Sequence, residues 1–185
     1  MTLPNILTLS RVALIPVLVI LLFADDPVMR WWVFGLYAMI AVTDWLDGFL
    51  ARALDQASTL GAVMDPIADK ALVAALIVGL VARGDIAGWD LAGAVLILCR
   101  ELMVSGLREF LGQRGLPLPV TKLAKWKTVV QLVALALMIL APLASPGQLV
   151  WISAIWWLAT ALTLITGFDY VRSAARHLRP GTEGS

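Results

Sequence analysis

The chain has 185 residues, of which 61% are hydrophobic and only 15% are charged, and its mean hydropathy is +0.89. This composition is typical of an integral membrane protein and excludes an ordinary soluble enzyme. The net charge of +1 does not indicate a nucleic-acid partner, and a single cysteine excludes an internal disulfide. We therefore expect an all-helical bundle in contact with membrane lipids.

Six apolar segments divide the chain. Because a helix needs about 20 residues to cross the hydrocarbon core, six spans with short loops nearly exhaust the sequence. The first segment lacks a basic leading region and a small-residue cleavage site, so we expect it to be retained. We predict one transmembrane domain over residues 1–171 and a polar tail over 172–185. The predicted spans are 6–23, 31–52, 60–81, 89–111, 123–141 and 149–170.

The basic residues are distributed unevenly between the two ends of these spans. Only Arg30 and Arg83, of the 14 Lys and Arg residues, lie near loops that follow odd-numbered spans. The positive-inside rule therefore predicts that the other end, with both termini, faces the cytoplasm. Spans one to four carry their charges toward that end, so we expect a polar cavity that opens to the cytoplasm.

Four carboxylates lie within otherwise apolar helical sequence. Asp44 and Asp47 are about 60° apart on a helical wheel, and Asp65 and Asp69 share a face of the next helix because they are four residues apart. If these helices are antiparallel neighbours, the four acids can meet. Several like charges at low dielectric require a cation between them. A donor set made only of oxygens favours Mg²⁺ or Mn²⁺ over Zn²⁺.

Small residues and a base accompany these acids on the second span. Gly48 and Ala51 lie on the acidic face and would let a ligand approach the helix backbone. Arg52, near the same face, is placed to contact a phosphate. The alternative is a polar helix interface in which Lys and Arg side chains neutralise the acids.

The spacing Asp-x2-Asp-Gly-x2-Ala-Arg-x8-Gly-x3-Asp-x3-Asp resembles the signature of the CDP-alcohol phosphatidyltransferase family, and all eight fixed positions are present. The resemblance implies that Asp44, Asp47 and Asp65, with Asp69 in part, hold two divalent ions. It also implies that Asp69 is the base and that the enzyme is a homodimer. The residues assigned to the nucleotide and its diphosphate are Asn5, Gly48, Ala51, Arg52 and Gly61. For Gly61 the alternative is simple close packing of helices.

Further segments resemble the bacterial phosphatidylglycerophosphate synthases, a branch of this family. The segments are 4–11, 65–70, 100–109 and 125–128, and Ala124 is a small departure because that branch often has Gly there. The resemblance implies transfer of a phosphatidyl group from CDP-diacylglycerol to sn-glycerol 3-phosphate, with release of CMP. It places the enzyme in the bacterial inner membrane, with its active site facing the cytoplasm.

An acceptor that carries its own phosphate requires cations beyond those at the diphosphate. On helical wheels Arg100 and Arg108 share one face of span four, and Lys127 shares a face of span five with Gln131. Lys125 points about 160° away, so it would need a helix-end distortion or snorkelling to join them. The candidate acceptor-phosphate ligands are Arg100, Arg108, Lys125 and Lys127.

Several roles remain open at this stage. Lys125 could instead bind lipid headgroups, and Arg11 could be an interfacial anchor. We expect Glu101 and Glu109 to be ion-pair partners of the bases and not catalysts.

Two other functions deserve comparison. A related enzyme with another acceptor, such as inositol phosphate, serine or phosphatidylglycerol, would share the signature, but a phosphate-free acceptor leaves Arg108 and Lys127 unexplained. An ion or proton transporter could also use intramembrane acids. The sequence has no internal repeat, however, and the outer halves of its helices offer no polar exit path.

Overall fold

The computed structural model describes residues 3–54, 59–116 and 121–178. Side chains are described within these ranges except at 3–8, 44–54, 59–63, 65 and 177–178. The described residues contain no strand and form helices α1 (Leu3–Leu22), α2 (Pro27–Leu54), α3 (Thr59–Ala82), α4 (Asp90–Gln113), α5 (Lys122–Leu140) and α6 (Pro146–Leu178), with a 3₁₀ turn at Ala141–Leu143.

The all-helical prediction and its six segments are confirmed, and the main differences are at helix ends. Helix α2 begins at Pro27, where a missing N–H costs nothing, and Asp26 accepts the Val28 amide proton at 3.0 Å. Helix α6 runs on to Leu178, beyond the predicted end near residue 170, so part of the predicted polar tail is helical. The buried side chains of Tyr170 and Ala174 explain this extension, because they continue the packed face by one turn.

Membrane-type helices account for much of the described chain. By length and composition, the segments Lys122–Leu143 and Pro146–Arg176 are apolar enough to cross a membrane, and shorter apolar stretches occupy Leu9–Leu22 and Pro27–Thr43. Large apolar side chains point outward, including Ile20 and Trp151, each more than 70% exposed. An apolar exterior of this extent suits contact with lipid. Six complete spans remain a prediction.

The helices pack as an antiparallel bundle around a large apolar core, and a smaller apolar cluster lies between α4, α5 and α6. Helix α1 contacts α2 and α3, while α6 contacts α4 and α5, and α2 and α5 close the bundle between them. The fully buried core side chains include Leu18, Leu76, Ile97, Leu135 and Trp156.

Helices α4 and α6 approach closely where Gly93 faces Trp156. A Cβ atom added at Gly93 would lie 2.6 Å from Trp156 Nε1, so only glycine fits this position without a shift. Trp156 Nε1 donates to the Asp90 carbonyl at 3.0 Å, and Ser153 Oγ donates to the Asp90 carboxylate at 3.0 Å. These contacts fix the first turn of α4 against α6.

An ion-pair cluster joins the helices at the end that carries the α1–α2, α3–α4 and α5–α6 connections, which we call the far end. Arg30, only 4% exposed, pairs with Asp85 at 2.7 Å and donates to the Ile139 carbonyl at 3.3 Å. Arg83 pairs with Asp25 at 3.1 Å. The sequence identified Arg30 and Arg83 only as cations near outer loops, whereas the structure shows that Arg30 links α2, the α3–α4 connection and α5.

Candidate functional site

A polar cavity of about 350 Å³ opens at the other end of the bundle, which we call the site end. All six helices contribute to its wall, from Arg11 on α1 to Tyr170 on α6. Among the described side chains, the charged ones that line it are Arg11, Asp69, Lys70, Arg100, Glu101, Arg108 and Lys127.

Asp69 and Arg11 face each other across the α1–α3 contact. The Asp69 side chain is 54% exposed, whereas the Arg11 side chain is only 3% exposed, and Arg11 Nη1 lies 3.7 Å from Asp69 Oδ1. Arg11 is buried because it continues the helical stripe formed by Ile15, Leu18 and Leu22 on the inner face of α1. The structure therefore places Arg11 in the cavity wall and leaves the Asp69 carboxylate accessible.

Glu101 pairs with two buried cations. Lys127 Nζ and Arg100 Nη1 both donate to Glu101 Oε1, the latter at 3.2 Å. The predicted ion-pair role of Glu101 is confirmed. Because one carboxylate cannot neutralise two cations, this group keeps a positive charge in a partly buried environment, where electrostatic interactions are strong.

Helix α6 fixes the position of Arg100. Arg100 Nη2 donates to Thr166 Oγ1 at 3.1 Å, and the guanidinium carbon lies 5.7 Å from the centre of the Tyr170 ring. A Cβ atom at Gly167 would lie 2.8 Å from Arg100 Cγ, so glycine makes room for the arginine to cross α6. Arg100 is therefore held by the protein itself before any ligand binds.

Arg108 and Lys70 lie where the cavity meets a second space between α3 and α4. This space has a volume of about 480 Å³, and its wall includes Ser105 and Glu109. Arg108 is exposed, and among the described side chains none forms an ion pair with it. The predicted shared face of Arg100 and Arg108 on α4 is confirmed, because both line this space, together with Glu101 and Ser105.

The two lysines of helix α5 are placed differently. Lys127 and Gln131 are both 3% exposed and line the cavity, as the helical wheel predicts. Lys125 is exposed and does not line the cavity. The structure therefore brings Lys127 to the site and leaves Lys125 outside it.

The described part of the cavity wall carries an excess of cations. It contains five Lys and Arg side chains and two carboxylates. A concave surface with this balance attracts anions, and guanidinium and ammonium groups form charge-assisted hydrogen bonds with phosphate oxygens. The geometry therefore suits a substrate that carries phosphate.

Eight predicted site residues have side chains outside the described part of the structure. Their backbones belong to α1, α2 and α3. Of the four predicted metal ligands, only Asp69 has a described side chain, and no cluster of three acidic, His or Cys side chains occurs among the described residues. The eight residues are Asn5, Asp44, Asp47, Gly48, Ala51, Arg52, Gly61 and Asp65.

Some cavity residues were not assigned a role from the sequence. Lys70 directly follows Asp69, so its position beside the acidic motif could have predicted that it lies at the site. Gln131 is a polar residue in an apolar helix, one turn after Lys127, which is a weaker signal. The sequence around Tyr170 did not predict its place in the cavity wall, because that place depends on the length of α6.

Comparison with known proteins gives consistent matches over almost the whole chain. The sequence profile of the CDP-alcohol phosphatidyltransferase family matches residues 1–166. A Cereibacter sphaeroides protein is 39% identical, with 96% of this chain and 97% of the relative covered. A Rickettsia bellii protein is 37% identical, with 95% and 96% covered. Both are named CDP-diacylglycerol–glycerol-3-phosphate 3-phosphatidyltransferase. A Mycobacterium tuberculosis relative, 40% identical over 95% of this chain and 83% of its own, is named probable phosphatidylglycerophosphate synthase.

Proposed function

This chain belongs to the CDP-alcohol phosphatidyltransferase family, and we propose that it transfers a phosphatidyl group from CDP-diacylglycerol to sn-glycerol 3-phosphate. The products are phosphatidylglycerol phosphate and CMP. The names of the relatives from Cereibacter sphaeroides and Rickettsia bellii support this choice of substrates, since each match covers nearly the full length of both chains.

The excess of cations beside Asp69 is the observation that carries the proposal for this chain. Arg100 and Lys127 share the single carboxylate of Glu101, and Arg108 has no carboxylate partner among the described side chains. An acceptor phosphate would compensate this surplus through charge-assisted hydrogen bonds. A phosphate-free acceptor such as serine would leave this positive charge uncompensated.

In the proposed reaction, the primary hydroxyl of glycerol 3-phosphate attacks the lipid-side phosphorus of CDP-diacylglycerol. A new oxygen–phosphorus bond forms, the bond from that phosphorus to the CMP oxygen breaks, and CMP leaves with the bonding electrons. Asp69 takes the hydroxyl proton, a role that its accessible carboxylate in the cavity wall supports. Arg108 and Lys127 bind the acceptor phosphate, and Arg100 adds positive charge beside Lys127.

The residues proposed to bind the nucleotide and the metal ions lie mainly in the family signature between Asp44 and Asp69. We propose that Asp44, Asp47 and Asp65, with Asp69, hold two divalent ions, Mg²⁺ or Mn²⁺. When bound, such ions neutralise charge on a diphosphate. An oxygen-only donor set and the exposed carboxylate of Asp69 support this assignment. The residues proposed to surround the CDP group are Asn5, Gly48, Ala51, Arg52 and Gly61.

The proposed setting is the cytoplasmic membrane of a bacterium, where the enzyme acts as a homodimer with the site end facing the cytoplasm. Two observations support the membrane location and the orientation, namely the apolar helices and the concentration of basic residues at the site end. The homodimer is proposed from the family resemblance alone.

An acceptor panel tests the proposed function. CMP release from CDP-diacylglycerol is measured with detergent-purified protein and glycerol 3-phosphate, inositol phosphate, serine or glycerol. We expect glycerol 3-phosphate to exceed each of the others at least about tenfold in kcat/KM, on the scale of one charge-assisted contact. Equal or faster release with serine or inositol phosphate would contradict the proposal. Asp69→Asn is the control for release that does not depend on the site.

A further inference from the structure

Gln131 lines the cavity and carries an unsatisfied polar atom. Its side chain is 3% exposed, and its Oε1 atom is buried without a hydrogen-bond partner among the described residues. Buried amide oxygens are normally paired, because leaving one unpaired costs free energy. Because Gln131 lines the cavity, rotation of its side-chain amide can bring this oxygen to a ligand there, and the new hydrogen bond would remove the cost of the unpaired oxygen.

The surroundings of Gln131 restrict what that ligand group can be. Lys127 lies one helical turn before Gln131 on the same face of α5, and Leu72, Val73 and Leu132 line the cavity as apolar neighbours. Because Oε1 only accepts hydrogen bonds, it suits a hydroxyl group and disfavours a phosphate oxygen. The cavity thus offers cations for a phosphate and, about 6 Å further along the helix axis, an acceptor for a hydroxyl.

We propose that Gln131 Oε1 accepts a hydrogen bond from the secondary hydroxyl of the acceptor and so selects a 1,2-diol phosphate over its 2-deoxy analogue. This inference rests on the proposed function. Glycerol 3-phosphate has three polar groups. Its phosphate would bind Arg108 and Lys127. Its primary hydroxyl must reach Asp69 on α3 to lose its proton. The middle hydroxyl is then the one polar group without an assigned contact, and Gln131 can supply it. Gln131 is then a specificity-determining contact and takes no part in the bond changes.

The test compares glycerol 3-phosphate with 3-hydroxypropyl phosphate, which keeps the phosphate and the primary hydroxyl but lacks the middle hydroxyl. The kcat/KM for each acceptor is measured at saturating CDP-diacylglycerol. We expect the wild-type protein to prefer glycerol 3-phosphate by about tenfold, the scale of one hydrogen bond with an otherwise unpaired buried partner. Gln131→Leu should reduce this preference to about twofold or less.

Two further variants control for loss of folding and for nonspecific effects of the substitution. Gln131→Met preserves the length of the side chain without its oxygen, and it should reduce the preference as Leu does even if the Leu variant folds poorly. Gln113→Leu makes the same chemical change at an exposed position at the end of α4 and should retain the full preference.

The outcomes separate the inference from the proposed function. If wild-type protein uses glycerol 3-phosphate but does not discriminate against the deoxy analogue, or if the Gln131 variants keep the wild-type preference, the role of Gln131 is overturned and the proposed function stands. If wild-type protein releases no CMP with glycerol 3-phosphate while another acceptor is active, the proposed function fails and the inference fails with it.

Discussion

Arg108 differs from the other arginines of the cavity in how its charge is balanced. Arg11 faces Asp69, and Arg100 is held by Glu101 and Thr166, whereas Arg108 is exposed and lacks an ion-pair partner among the described side chains. An exposed arginine without an ion-pair partner can bind an incoming anion, and no existing ion pair has to break first. It is therefore the residue whose removal should most directly affect binding of the acceptor phosphate.

Arg108→Ala should lower kcat/KM for glycerol 3-phosphate about ten- to a hundredfold, because a charge-assisted hydrogen bond contributes roughly 1.5–3 kcal/mol. Most of the change should appear as a higher KM for the acceptor, with little change in the KM for CDP-diacylglycerol. Arg52→Ala should show the opposite pattern, because Arg52 is assigned to the diphosphate. Steady-state titration of both substrates measures the two effects.

Arg114→Ala is the matched control for Arg108→Ala. Arg114 follows the same helix and stacks 4.2 Å from the Phe110 ring centre, outside both spaces that Arg108 lines. Its loss should leave both KM values near those of the wild type. An Arg108→Ala variant that weakened only CDP-diacylglycerol would refute the acceptor assignment.

Glu101 is the residue on which the buried charges of the site depend. Glu101→Gln should lower the free energy of unfolding by about 3 kcal/mol, since removing the carboxylate leaves the buried cations Arg100 and Lys127 without their anion. Thermal denaturation in detergent measures the change. Glu109→Gln, at an exposed position on the same helix, should change stability by less than about 0.5 kcal/mol. Equal effects of the two substitutions would contradict this account.

At the scale of elements, the packing of α4 against α6 links the far end of the bundle to the site. Near the start of α4, Gly93 leaves space for the Trp156 side chain. Near the site, Gly167 leaves space for the Arg100 side chain. The two glycines lie on different helices, and each receives a large side chain from the other helix. The contact that holds the helices together therefore also places a cavity arginine.

Gly93→Ala should destabilise the bundle by about 1–3 kcal/mol, because its Cβ atom would overlap Trp156 Nε1 and lie 2.9 Å from Thr160 Oγ1. Gly106→Ala, in the same helix, meets nothing within 4 Å and should be neutral or stabilising by up to about 1 kcal/mol through helix propensity. Apparent melting temperatures of the two variants, measured in one detergent, test this difference in sign. A Gly106→Ala variant as unstable as Gly93→Ala would show that the close contact is not the cause.

The helical elements and their faces were largely predictable from sequence, because each depends on local order along the chain. Helical periodicity separated Lys127 from Lys125 correctly, and it grouped Arg100 with Arg108. The end of α6 was not predictable from hydropathy. That helix continues because Tyr170 packs into the cavity wall, a tertiary contact that a falling hydropathy profile does not reveal.

At the scale of the whole molecule, charges are organised differently at the two ends of the bundle. At the far end Arg30 is buried and pairs with the part-buried Asp85, so these two charges neutralise each other and stabilise the helix packing. At the site end cations exceed carboxylates in the described cavity wall. The sequence could not separate these cases, because Arg30 and Asp85 are 55 residues apart and their contact exists only after the helices assemble.

Metal dependence is the prediction that concerns the complete site. Chelation should abolish CMP release, and added Mg²⁺ or Mn²⁺ should restore it, because the four acids proposed as metal ligands would need a cation to remain ionised at close range. Asp44→Asn and Asp65→Asn should remain folded and lose at least about a hundredfold in rate, on the scale of lost electrostatic stabilisation. Asp25→Asn, exposed at the far end, is the matched control and should keep the wild-type rate. Full turnover in excess chelator would contradict the assignment of the acids as metal ligands.

The transfer of labelled glycerol 3-phosphate into lipid tests the central claim most directly. Purified protein is incubated with CDP-diacylglycerol and glycerol 3-[³²P]phosphate, and both CMP and the label in the organic phase are measured over time. The proposed reaction predicts that label enters the lipid mole for mole with CMP, and that Asp69→Asn suppresses both together. CMP release without label in the lipid would show hydrolysis or transfer to another acceptor, and would contradict the proposed function.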